Sequence, residues 1–412
     1  MSWAKAWGWL RVVVLAAGVL YLAAQAWDHV NAILAYQPLG IDFMPMWAAA
    51  REVFPHPGRI YDFTALTRFE HPLMEHFRGL RPFVYPPSAL LAFLPFSALR
   101  FEVANLAWTA LGLVAILWTM FGRLGSPRVL ALLAMALTPP SVLVLVTGQV
   151  TFIVAALTVA GLYCLRTRPV SAGVLFGLAG ALKPQALVLL PLALLATREW
   201  RALAAAAATL GVAVAVSALV FGVGAWFEWV AAVPRFQRMV MDARALERGM
   251  ITPTALGHTL KLDPGALDTW RLVFGVGAAV MAWMVFRSTS DPARRIAALL
   301  GGGLFVTPYA MHYDAALLAP AAALILTHRT RPGAWILAVA AGAVLCCAAI
   351  PHWGAAAVIA FTLWTALTPE TLLMGKTARG DGDPRPHSIA DLRTKPRPGD
   401  PGGLADRELG PA

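Results

Sequence analysis

The chain has 412 residues, of which 59% are hydrophobic and only 13% are charged. A soluble domain of this length does not carry so few charges, so the composition indicates a protein that crosses a membrane several times. The formal net charge of +11 does not indicate a nucleic-acid partner, because the basic residues lie in short clusters between apolar runs, where they set membrane topology.

The first apolar run, 12–27, follows Lys5 and Arg11. It is about as long as a membrane span and longer than the apolar part of a typical signal peptide, so it predicts an uncleaved signal anchor. Further apolar runs follow along the chain, at 85–99, 103–121, 129–146, 150–165, 170–182, 186–197, 200–222, 269–287, 294–307, 313–327, 333–350 and 353–367.

The charges between these runs predict how the chain is threaded. The N-terminus and five short connections hold 13 basic and two acidic residues, whereas the long loops 28–84 and 223–268 together hold ten basic and eleven acidic residues. The positive-inside rule therefore places the short connections in the cytoplasm and the two long loops outside. This requires that 85–99, which is short and contains Pro95, does not fully span, and that 170–197 dips out and back at Lys183-Pro184.

We therefore predict about twelve spans with both termini inside. The multi-span part is predicted to occupy residues 1–374. The remaining segment, 375–412, is rich in Pro, Gly and mixed charge and has almost no large apolar residues. This composition predicts a disordered cytoplasmic tail.

Five polar motifs are predicted to face the outer side of the membrane together. They are Asp42-Phe43, Tyr85-Pro86-Pro87, Gly148-Gln149, Lys183-Pro184-Gln185, and Thr307-Pro308-Tyr309 through His312-Tyr313-Asp314. A carboxylate or an ammonium group beside apolar lipid costs free energy, so Asp42 and Lys183 are interpreted first as functional residues. The shared side of the membrane, more than any single motif, indicates a site.

Each candidate residue also has a structural alternative that the sequence leaves open. The alternatives are an N-cap for Asp42, snorkelling to the interface for Lys183, a satisfied turn residue for His312, pairing with Lys183 or His312 for Asp314, backbone satisfaction for Gln149, a helix start at Tyr85-Pro86-Pro87, and a solvated face for Arg235 and Arg238.

The motifs resemble those of glycosyltransferase family 87, the polyprenyl-phosphate-sugar-dependent mannosyltransferase-like enzymes of the GT-C superfamily. The resemblance covers about residues 10–370, and its most specific part is Gly177–Gln185. The other residues that carry it are Gly40-Ile41-Asp42-Phe43, Trp47–Ala50, Tyr61-Asp62, Tyr85–Leu91, Thr147–Val150, Trp200-Arg201, Pro308 and Tyr313-Asp314. Ile251–Ala255 departs from the family, because relatives often carry an Asn-x-Ser-like turn there, which leaves acceptor contacts in this loop open.

The resemblance implies an all-α, GT-C-type fold in the inner (plasma) membrane, with the active site on the non-cytoplasmic side. It implies an inverting transfer of a sugar, with mannose expected, from a polyprenyl phosphate to a hydroxyl of a glycolipid or glycan acceptor. Neither a cofactor nor a metal is expected, because the leaving phosphate already activates the sugar. The partners would be the lipid-linked donor, the acceptor and membrane lipids.

The resemblance also implies roles for the candidate residues. Asp42 would be the general base for the acceptor hydroxyl. The substrate-binding candidates are Lys183 and His312 for the phosphate, Tyr85 and Gln149 for sugar hydroxyls, Arg235 and Arg238 for the anionic donor, and Asp314 as a further site residue.

A transporter or flippase of lipid-linked or small polar substrates is the alternative. It would explain many spans and an intramembrane lysine. It would not explain the long predicted outer loop 28–84 with Asp42 in its first part, nor polar motifs on one side, because a transporter places its polar residues near the midplane. A non-catalytic membrane scaffold would leave Asp42 and Lys183 without a use.

Overall fold

The computed structural model describes residues 37–368, except 75–78, 126–127, 244–248, 328–341 and 343, together with 21, 24, 27–28, 30–32 and 34–35. Within these residues the chain is helical and has no strand, which confirms the all-α class; one antiparallel bridge joins Met250 and Met311. Most of the predicted run 12–27, much of the run 333–350 and the predicted tail 375–412 lie outside the described residues.

The described helices are numbered here in chain order. They are α1 (Met44–Glu52), α2 (Phe63–Glu70), α3 (Pro87–Ser97), α4 (Phe101–Phe121), α5 (Arg128–Leu137), α6 (Pro139–Thr147), α7 (Thr151–Cys164), α8 (Pro169–Leu182), α9 (Leu190–Ala196), α10 (Trp200–Phe221), α11 (Gly224–Asp242), α12 (Pro253–Thr259), α13 (Pro264–Ser288), α14 (Pro292–Ile296), α15 (Gly302–Val306), α16 (Ala319–Thr327) and α17 (Gly354–Leu367). A π-helix, Ala297–Gly301, joins α14 to α15, and 3₁₀ turns cover Pro184–Leu187 and His312–Leu318.

Three described helices, α4, α10 and α13, are long and apolar enough to cross a membrane. A fourth candidate is the pair α5 and α6, which bends by 62° at Thr138-Pro139. Only 11% of the most apolar part of α10 is buried inside the protein, so most of the side chains of this helix are available to lipid. The other predicted runs that the structure describes form shorter helices. The count of about twelve spans and the GT-C-type arrangement therefore stay predictions.

Proline ends or interrupts helices where the sequence predicts breaks. The run 85–99 forms α3, whose 11 residues extend for only ~16 Å, about half the apolar thickness of a bilayer. Helix α8 ends at Leu182, Lys183 has the non-helical angles φ −145° and ψ 75°, and a 3₁₀ turn begins at Pro184. The predicted break at Lys183-Pro184 is confirmed.

The predicted outer loop 223–268 is largely helical. Its first part is α11, a helix of 19 residues. The indole nitrogen of Trp229 on α11 donates to the carbonyl of Val84 at 3.0 Å. This bond ties the second long loop to the first one, just before Tyr85.

Glu70, at the end of α2, is completely buried in the first long loop. Neither carboxylate oxygen has a hydrogen-bond partner among the described residues. Burial raises the pKa of Glu70 from 4.5 to about 9, against an opposing effect of Arg81. The side chain is therefore protonated in the folded protein at neutral pH.

Glu70 should make the folded protein less stable as the pH rises. Between pH 4.5 and about 9 the unfolded chain loses this proton and the folded chain keeps it, so the free energy of unfolding falls with increasing pH, by on the order of 3 kcal/mol at pH 7. We expect the apparent unfolding temperature of Glu70→Gln in detergent to fall less steeply between pH 5 and 9 than that of the wild type. Glu102→Gln, at an exposed position on α4, is the matched control. Equal slopes for the wild type and Glu70→Gln would contradict this prediction.

Candidate active site

The predicted outer motifs line one cavity of about 680 Å³. Six of the eight candidate side chains lie on its wall, and they are Asp42, Tyr85, Gln149, Lys183, His312 and Asp314. They come from the first long loop and its end at Tyr85, the turn between α6 and α7, the break after α8 and the turn after α15. Residues far apart in the sequence thus converge on one site.

The backbone around Asp42 is fixed to the end of α6. The backbone nitrogens of Asp42 and Phe43 donate to the carbonyl of Thr147 at 2.9 and 3.0 Å. Gly148 ends α6 with a left-handed φ of +76°, and a Cβ there would lie 2.6 Å from the Cβ of Phe43. Gly40 also has a left-handed φ, of +74°. Glycine is therefore required at both positions, because it alone combines this conformation with such close approach.

An aromatic cluster holds the other side of this segment. The ring of Phe43 lies within 6.5 Å, centroid to centroid, of the rings of Phe93, Phe96, Phe101 and Trp108. Phe43 is completely buried, whereas the neighbouring Asp42 lines the cavity. Burial of the phenyl ring thus fixes the direction in which the carboxylate points.

The Asp42 carboxylate accepts hydrogen bonds from two side chains. Arg81 Nη1 donates to Oδ1 at 3.2 Å, and Gln149 Nε2 donates to Oδ2 at 3.0 Å. The hydroxyl of Tyr85 donates to Gln149 Oε1 at 2.9 Å, which fixes the orientation of the amide. The N-cap position of α1 belongs to Phe43, so Asp42 does not cap this helix. These contacts favour the functional interpretation of Asp42.

Tyr85 lies at the start of a helix and also lines the cavity. Pro86 is the N-cap of α3 and Pro87 its first residue, so the motif does start a helix. The Tyr85 side chain also reaches the cavity. Burial, with smaller effects of Asp314 and Asp42, raises the pKa of Tyr85 well above its usual value. Its hydroxyl therefore stays protonated and can donate.

Lys183 and Asp314 form a buried ion pair. The Lys183 ammonium contacts Asp314 Oδ1, and the two residues are only 6% and 5% exposed. Asp314 also accepts from Thr151 Oγ1 at 3.3 Å and from the backbone nitrogen of Met311 at 3.2 Å. Asp314 thus pairs with Lys183, one of the structural alternatives, and Lys183 does not snorkel to the surface. A phosphate contact of Lys183 stays a prediction.

His312 joins the cavity to the second long loop. Its backbone nitrogen donates to the carbonyl of Gly249 at 2.8 Å, and its Nδ1 lies 3.1 Å from the same oxygen. Because a carbonyl only accepts, Nδ1 carries a proton in this contact. The imidazole is thereby held in one orientation on the cavity wall.

Arg235 and Arg238 do not line this cavity. Arg235 is exposed on α11, where its Nε donates to the carbonyl of Ala231 and its guanidinium lies 5.4 Å from the Phe63 ring centroid. Arg238 lines a separate, largely apolar cavity of about 720 Å³ between α11 and α13, together with Arg271. The structure thus does not bring the two arginines together with the other six candidates.

Sequence reasoning missed several residues of the cavity. Arg81 is the principal one, since it contacts Asp42 directly. Its position four residues before Tyr85, in a loop with more acidic than basic residues, is the signal that could have indicated it. Gln237 is another missed residue of the cavity wall, whereas Gln185 and Tyr313, which also line it, belong to the predicted motifs.

An all-helical protein with membrane-length apolar helices and a polar, carboxylate-containing cavity belongs to the class of membrane proteins with an enzyme-like site. The family model of glycosyltransferase family 87 matches residues 83–308, more than half of the chain. The chain belongs to glycosyltransferase family 87 and is therefore a membrane glycosyltransferase. The matched region includes Tyr85, Gln149 and Lys183, whereas Asp42, His312 and Asp314 lie outside it.

The chain is also similar to a protein of Mycolicibacterium smegmatis (strain ATCC 700084 / mc(2)155). That protein is a polyprenol-phosphate-mannose-dependent alpha-(1-2)-phosphatidylinositol pentamannoside mannosyltransferase. The two are 28% identical over 303 residues, which cover 70% of this chain and 68% of the relative. No solved structure matches the chain.

Proposed function

We propose that the protein transfers mannose from a polyprenyl phosphate to a hydroxyl group of a glycolipid or glycan acceptor. The reaction takes place at the outer face of the inner membrane and inverts the configuration of the sugar. The observation that carries this proposal is the cavity in which Asp42, held by Arg81 and Gln149, faces the same space as Lys183, His312 and Tyr85.

Asp42 is the general base of the proposed reaction. The acceptor oxygen forms a bond to the anomeric carbon, the bond from that carbon to the phosphate oxygen breaks, and the hydroxyl proton goes to Asp42. A base must be held within hydrogen-bond reach of the proton that it takes. The two side-chain donors and the fixed backbone at Thr147 supply this orientation.

The remaining polar residues bind the donor. Lys183 and His312 contribute positive charge and hydrogen bonds where the negative charge of the leaving phosphate develops. Tyr85 and Gln149, already bonded to one another, contact sugar hydroxyls. The reaction uses neither a metal nor a cofactor, because the phosphate is itself the activating group of the sugar.

The donor class rests on the family and on the relative. The name of the M. smegmatis protein refers to polyprenol-phosphate-mannose and to a phosphatidylinositol pentamannoside. Both are lipid-linked, which suits a site among apolar helices. The acceptor of this chain is proposed only as a class, since the two proteins are 28% identical.

A transfer assay with the purified protein tests the proposal. Radiolabelled polyprenyl-phosphate mannose and nucleotide-activated mannose are offered in parallel with a membrane lipid extract, and mock-purified membranes serve as the control. We expect label in the lipid fraction from the polyprenyl-phosphate donor alone, and glycosidases of known specificity then give the anomeric configuration. Transfer from the nucleotide sugar alone would reject the lipid-linked donor. No transfer from mannose, glucose or arabinose on polyprenyl phosphate would reject the proposed reaction and raise the transporter alternative.

A further inference from the structure

Arg81 is placed where it can act on the reaction as well as on the fold. Its Nη1 lies 3.2 Å from Asp42 Oδ1, and both side chains are 18% exposed on the cavity wall. Its backbone nitrogen donates to Thr67 Oγ1 at 2.9 Å, which fixes the loop to α2. The fold therefore holds the guanidinium next to Asp42, the general base of the proposed reaction.

Among the described residues, two ion pairs lie on the cavity wall. Arg81 contacts Asp42, whereas Lys183 contacts Asp314. The other side chain that donates to Asp42, Gln149, is neutral. Burial raises the pKa of the neighbouring Glu70 to about 9, so this acid is uncharged at neutral pH. Protonation of Asp42 therefore removes one negative charge that is in contact with Arg81.

We propose that Arg81 exchanges partners during turnover: it holds the Asp42 carboxylate before transfer and binds the departing polyprenyl phosphate after Asp42 has taken the acceptor proton. This inference rests on the proposed function. Arg81 is then a catalytic residue, because it contacts the leaving group.

The charges of the proposed step balance around Arg81. When the acceptor oxygen bonds to the anomeric carbon, the electron pair of the broken bond stays on the phosphate, whose charge changes from about −1 to −2. The acceptor proton changes the charge of Asp42 from −1 to 0. One unit of negative charge thus moves from Asp42 to the phosphate, and the planar guanidinium can follow it, because it matches phosphate oxygens as well as carboxylate oxygens.

The exchange predicts how the product binds. Asp42→Asn imitates the protonated base, so it should strengthen the binding of polyprenyl phosphate by about tenfold, the range of one charge-assisted contact. In the double variant Asp42→Asn with Arg81→Gln this gain should be lost. If Arg81 had only a structural role, Arg81→Gln would weaken polyprenyl-phosphate binding by the same factor in the wild type and in Asp42→Asn. The free-energy changes of the two substitutions would then add.

The test measures binding of a short-chain polyprenyl phosphate to the full chain in detergent, for the wild type, Asp42→Asn, Arg81→Gln and the double variant. The corresponding polyprenol, which has no phosphate, is the ligand control. Arg59→Gln is the protein control, since Arg59 forms an ion pair with Glu52 at 3.2 Å in the same loop and does not line the cavity. If Arg81→Gln does not fold, Arg81→Lys replaces it; this variant keeps the charge without the fork and should retain only part of the gain.

The outcomes separate the two proposals. A gain in Asp42→Asn that disappears in the double variant supports the exchange. Equal affinity of the wild type and Asp42→Asn, or a gain that survives in the double variant, overturns the exchange. The wild-type transfer assay is run on the same preparations: failure of transfer from polyprenyl-phosphate sugars rejects the proposed function, whereas transfer with an additive binding cycle rejects only the exchange.

Discussion

Replacing Asp42 by asparagine is expected to lower the rate of sugar transfer by about 10²–10⁴-fold, the usual contribution of a positioned general base. The fold should survive. The new amide oxygen can still accept from Arg81, and the Gln149 amide can turn over so that its oxygen meets the new amide nitrogen, with the Tyr85 hydroxyl as acceptor behind it. The loss should therefore appear in transfer and not in the unfolding temperature.

The measurement is the initial rate of label transfer from polyprenyl-phosphate mannose, together with thermal unfolding in detergent. Asp62→Asn is the matched control in the same loop. Asp62 caps α2 by accepting from the backbone nitrogens of Thr64 and Ala65 at 3.0 Å, and asparagine caps a helix equally well. A rate for Asp42→Asn within about threefold of the wild type would remove Asp42 from the mechanism, since a base contributes far more.

The sequence predicts those residues of the site whose charge is energetically unfavourable near lipid. Asp42 and Lys183 can be selected from the sequence, because a charge beside the apolar part of the membrane costs free energy and therefore indicates a function. The convergence of the motifs follows from topology, because loops on the same side of a membrane can meet. The helix break at Lys183-Pro184 follows from proline chemistry.

Arg81 could not be selected by the same reasoning. It lies in the long loop 28–84, where an arginine is not placed beside lipid and where other basic residues lie nearby. Its contact with Asp42 depends on the bond from its backbone to Thr67 and on the path of the loop around α2. Such a pairing is a property of the tertiary fold.

The two arginines of α11 show a further limit. Their prediction as donor contacts assumes that 223–268 is a loop. The first part of this segment is instead the helix α11. The residues of α11 that line the cavity include Trp229, Val233, Phe236, Gln237 and Val240. From Trp229 the successive steps to Val233, Phe236 and Val240 are four, three and four residues, which is the helical period, and Gln237 lies beside Phe236. A periodicity analysis of 224–242 could have indicated that Arg235 and Arg238 point elsewhere.

Replacing Lys183 by methionine is expected to destabilise the protein by about 3–5 kcal/mol, because it leaves the buried Asp314 carboxylate without its cation. The hydrogen bonds from Thr151 and Met311 to Asp314 do not replace a positive charge. Because Lys183 is also proposed to bind the leaving phosphate, this variant should lose sugar transfer as well.

A second variant separates the two effects. The double variant Lys183→Met with Asp314→Asn no longer contains a buried charge at this position, so it should recover most of the lost stability. It lacks the cation and should remain unable to transfer sugar. Thermal unfolding in detergent and the transfer rate are measured on the wild type, both single variants and the double variant.

The exposed pair of Arg100 and Glu102, with side chains 87% and 64% exposed, provides the control. Arg100→Met should change stability by less than about 1 kcal/mol, as is usual for surface ion pairs. If the double variant regains both stability and transfer, Lys183 serves only to neutralise Asp314. If it regains stability alone, the ammonium acts in the reaction, and the ion pair is the resting form of a phosphate-binding group.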